Sequence, residues 1–64
     1  MKRRLLLVGV RVDECERAVC DLIGAAAPSA RVSAVLRGED APVGDVELVR
    51  DALWYLGFSC EVKS

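Results

Sequence analysis

Apolar and polar positions along the chain alternate with two different periods, and the switches between them mark the elements. Leu5-Leu6-Leu7-Val8-Gly9-Val10 is a continuous apolar run interrupted near its end by Gly9. Such a run suits a central strand covered on at least one face. Cys15, Val19, Leu22, Ile23 and Ala26 then recur at helical spacing and form one stripe, with Arg17 and Asp21 on the other side. This predicts a helix that begins at Asp13 or Glu14, where acidic residues complement the N-terminal dipole. Gly24 weakens it, and it ends by about Ala26, because Pro28 cannot continue it. Arg31 to Arg37 alternates, which predicts a second strand with Val32, Ala34 and Leu36 facing inward. Gly38-Glu39-Asp40 reads as a hairpin turn.

A third strand would have to lie at Ala41-Pro42-Val43. Pro42 lacks a ladder donor, so that strand is short or irregular, and residues 39 to 44 as a loop would leave a three-stranded sheet. Asp45 reads as the N-cap of a second helix with Val46, Val49, Ala52, Leu53 and Leu56 as its stripe. Gly57 closes that helix as its C′ residue. Phe58, Cys60 and Val62 form one face of a last strand. The predicted order is β-α-β-β-α-β, the ferredoxin-like α/β (α+β) sandwich, with two helices on one face of an antiparallel sheet.

Composition narrows the function. The 64 residues form a single domain, residues 1–64, with room for one small core. A hydrophobic content of 53% is too high for disorder. The net charge of -1 and pI near 5.2 argue against a nucleic-acid partner, which needs a basic face. Lys2-Arg3-Arg4 is a solvated terminal flank. No run resembles a signal peptide or a membrane span, so the expected location is the cytoplasm, with reduced thiols and no membrane insertion. Three cysteines cannot all pair within one chain, and there is no His. A metal site would have to use thiolate, carboxylate or backbone oxygen. No nucleophile–base pair, phosphate loop or cofactor box is present, so no enzymatic activity is expected.

The stretch Gly9-Val10-Arg11-Val12-Asp13-Glu14-Cys15-Glu16-Arg17-Ala18-Val19 places a thiol at a helix start, where thiols ionise most easily. Together with the element order, it resembles the heavy-metal-associated domains of copper chaperones and metal-pumping ATPases. That family carries Gly-Met-x-Cys-x-x-Cys between the first strand and the first helix. Gly9 matches the motif Gly, Val10 stands for its Met, and Cys15 for its second Cys. Val12 stands where the first Cys should be. Ala52-Leu53 and Leu56-Gly57-Phe58 resemble the family's second helix and its exit. The resemblance implies Cys15 as the ligand of a soft ion such as Cu(I), since soft thiolates select it. Val12 donates nothing. Cys20 lies five residues on, about 7.5 Å along the helix axis and off the same face, so it should not share an ion with Cys15. Cys60 is expected to pack inward. Asp13, Glu14, Glu39 and Asp40 read as helix-start and turn acids. A second Cys15 from another copy is the more plausible co-ligand.

Two function classes follow. One is a small protein that handles Cu(I) or another soft ion through Cys15. The other is a degenerate domain that binds no metal and serves as a protein-interaction or dimerisation module. Its partner or second copy would contact Leu6, Val8 and Val35 on the open sheet face, or Trp54. Trp54 and Tyr55 flank the second stripe and face sideways or outward.

Overall fold

A computed structural model describes all residues 1–64. The chain is an α+β protein with three α-helices and one three-stranded antiparallel sheet. Strand β1 spans Lys2–Val8, helix α1 Val12–Ile23 and helix α2 Ser29–Leu36. Strand β2 is Ala41–Pro42, helix α3 Val43–Leu56 and strand β3 Ser59–Lys63. A 3₁₀ turn, Gly24–Ala26, follows α1. The sheet order is β2-β1-β3, so β1 is central and β3 is a free edge.

The structure departs from expectation between the first helix and the last. Residues 31–37 are not a strand: they lie in α2 and its C-cap. The β-α-β-β-α-β order is therefore not the order of this chain, which has a third helix where a second strand was expected. The cause is local. Val32, Val35 and Leu36 also stand at i, i+3 and i+4, and all three are buried. Pro28 sits extended at the N-cap, and its carbonyl accepts from Arg31 and Val32 N–H. Gly38 takes φ 81°, its N–H reaches Val35 O, and Glu39 N–H reaches Ala34 O. That pair of bonds is the Schellman closure of a helix, where only glycine is unstrained, and not a hairpin turn. Gly57 (φ 87°) closes α3 in the same way, as expected.

Asp45 is likewise not the N-cap. Pro42 holds that place, and Asp45 lies in the first turn of α3. There its carboxylate accepts two hydrogen bonds from Arg31, at 2.8 and 3.1 Å, which tie α2 to α3. Arg31 holds the Asp45 carboxyl below its ordinary range. The expected short strand at 41–43 is reduced to the two residues Ala41–Pro42, which meet only Arg3 and Lys2.

The core lies between the sheet and the helices. Leu5, Cys15, Val19, Val32, Val35, Val46, Val49 and Leu53 are its fully enclosed side chains. Each buried Leu or Val removes enough apolar surface to contribute roughly 1.5–3 kcal/mol. Leu22 and Ala26, expected in the α1 stripe, are exposed: Leu22 lies within α1 at the margin of the face centred on Cys15, Val19 and Ile23, and Ala26 falls in the 3₁₀ segment. No helix is long and apolar enough to cross a membrane.

Candidate functional site

The turn into α1 is tighter than its sequence suggests. Arg11 is the extended N-cap, and its N–H donates to Glu14 Oε1 at 2.7 Å. Helix α1 thus starts at Val12, one or two residues earlier than expected. Val12 and Cys15, three apart, share its inward face. Val12 packs against the core, and Cys15 is 0% exposed. The Cys15 thiol donates to the carbonyls of Val12 and Arg11 at 3.7 and 3.8 Å. Burial pushes this thiol up from its ordinary value, and Glu14, Glu16 and Asp13 push it further. Burial and three carboxylates thus make this thiol harder to ionise, although it sits in the first turn of a helix.

The three cysteines are free and stand apart on α1 and β3. Cys20 is half-buried, its thiol raised by burial, Glu16 and Asp21. Cys60 is half-buried on the inner face of β3, opposite Leu7. No group of three or more His, Cys, Asp or Glu side chains converges anywhere in the chain. Asp13 pairs with exposed Arg11, Glu39 with Arg37, and Asp40 with Arg4, all at the surface. Glu16 is engaged by the Ser33 hydroxyl, which joins α1 to α2.

The apolar surface residues divide differently than expected. Leu6 (39% exposed) and Val8 (45%) face away from the helices, as the strand period requires. Val35 does not join them. It is fully buried in α2, because a helix and not a strand carries it. Trp54 and Tyr55 are 85% and 78% exposed, adjacent on α3. Trp54 leans over a cleft of about 400 Å³ between α3 and the free edge of the sheet, lined also by Arg50, Gly57, Phe58, Ser59 and Cys60.

Arg50 was not singled out by sequence, and Phe58 was expected only as an inward strand position, whereas it precedes β3 and lines the cleft. The Arg50–Trp54 spacing of four residues, which puts both on one flank of a helix, was the available signal. Arg50 is the cleft's only charged side chain. Its contact with Asp51 is a loose 3.7 Å surface pair. Burial raises the Cys60 thiol, and Arg50 partly offsets this.

Comparison with family models, with curated proteins and with solved structures found no match for this chain.

Proposed function

We propose that this chain is a protein-interaction module whose contact surface is centred on Trp54. The observation that carries the reading is the exposure of Trp54 and Tyr55 beside an open cleft, in a chain whose other large core-forming side chains are mostly covered. A Trp left outside at the rim of a cleft loses the benefit of burial unless a partner covers it. Arg50 next to it adds a cation that can stack on an aromatic ring or meet a carboxylate. The soft-ion reading of Cys15 has weaker support. Its thiol is enclosed, raised by burial and acids, and belongs to no cluster of three or more side chains that could hold a metal ion.

The test is a random peptide display library panned on the wild-type protein and on Trp54→Ala in parallel. Selected sequences should bind the wild type and lose binding to the variant. The same binders on both proteins would remove Trp54 from the function, and so would selection that yields nothing on a chain that stays single at every concentration. A Cu(I) titration against a strong chelator, with Cys15→Ala as control, is expected to show no difference between the two.

A further inference from the structure

The geometry points to a second copy of this chain as the occupant of the free β3 edge, paired antiparallel with Val62 opposite Val62 of the other copy. The inference deepens the reading of Trp54 as a contact residue and rests on it.

The register follows from the sheet. Met1 O accepts from Val43 N–H, in line with the Arg3–Ala41 pair. Odd-numbered residues of β1 therefore direct their backbone groups toward β2, and even-numbered ones toward β3. Arg4, Leu6 and Val8 stand opposite Lys63, Glu61 and Ser59. Those three β3 residues thus spend their N–H and C=O groups on β1. Cys60 and Val62 direct theirs outward, and no backbone bond outside the regular elements reaches either. An unpaired row of this kind is a template for another strand.

The second copy fits by charge. With Val62 facing its own counterpart, Glu61 of each chain stands opposite Lys63 of the other. Both belong to the open sheet face, in a non-hydrogen-bonded pair where side chains come closest. The two residues already attract within one strand, with Nζ and Oε1 3.5 Å apart and both exposed. Cys60 would stand opposite Ser64, so the outward groups of the strand are matched as well.

The helices fit by distance. Helix α3 packs on both β1 and β3. With strands about 4.8 Å apart, the two α3 helices would then lie roughly 10 Å from one another, which is ordinary helix-packing distance. The flank of α3 that faces the neighbour is the one bearing Arg50 and Trp54 above the cleft. One arrangement thus covers the free edge and the exposed Trp together.

Sedimentation equilibrium over a wide concentration range tests this. Wild type should approach twice the 6.9 kDa chain mass. Glu61→Lys and Lys63→Glu each place like charges opposite one another and should weaken association about tenfold or more. Mixing the two single variants should restore it, as should the double exchange in one chain. Circular dichroism confirms that the variants stay folded, since both positions are exposed. A single-chain mass at every concentration overturns the pairing, and so does a dimer indifferent to both reversals. If that indifferent dimer is lost with Trp54→Ala, the strand pairing fails and the Trp54 reading stands. Peptide selection that ignores Trp54 makes the Trp54 reading fail instead.

Discussion

Cys15 illustrates how a residue's chemistry is set by its neighbours. Viewed alone, a cysteine in the first turn of a helix is a candidate thiolate. In the fold it is buried in the core with its S–H turned onto two carbonyls. Its folded thiol is raised above the ordinary value of 9.0, and Cys20 and Cys60 are raised too. The unfolded chain therefore gives up these protons first as pH rises. The stability they contribute is whole below about 9.0 and is lost as pH climbs through the higher folded values. Urea midpoints measured at stepped alkaline pH should fall above that point, and the fall should be shallower in Cys15→Ala. Equal slopes in the two proteins would place the pH dependence elsewhere.

At the scale of the element, α2 is the segment where two periods compete. Val32, Ala34 and Leu36 fit a strand, while Val32, Val35 and Leu36 fit a helix turn. Eight residues are too few for either pattern to prevail by propensity. Closure by Pro28 and Gly38 and packing on β1, α1 and α3 decide for the helix. The two assignments predict opposite outcomes for one substitution. Val35→Lys places an unpaired ammonium in the core and should cost on the order of 3 kcal/mol or more. Leu6→Lys, on the open face, should cost about 1 kcal/mol or less. Urea unfolding of both checks this, and a mild effect at Val35 would return residues 31–37 to the sheet surface.

At the scale of the molecule, a core of 13 residues leaves little reserve, and the sheet is completed on neither side. Strand β2 covers only the first residues of β1, and β3 is open along its length. A protein of this size gains stability when a partner binds only its folded form. With a second copy on β3, the melting temperature should rise with protein concentration in wild type, and the same rise should need about tenfold or more protein in Glu61→Lys. Calorimetry at several concentrations reads this, and a wild-type melting temperature independent of concentration would mean that folding takes no support from association.

Much of this was legible from the chain. The run Leu5–Val8, the first stripe at Cys15, Val19 and Ile23 but not at Leu22 and Ala26, the stripe Val46–Leu53, the closing Gly57 and the last alternation through Cys60 and Val62 but not at Phe58 form the elements their periods dictate. So does the outward position of Leu6, Val8 and Trp54. Tertiary structure decided what local pattern left degenerate. It made residues 29–36 a helix, and with that it buried Val35. It sealed Cys15 beneath the core and set Arg50 and Phe58 beside Trp54. The reason is physical: a period fixes which side of an element is apolar, but burial, desolvation and the meeting of distant side chains depend on where the other elements lie.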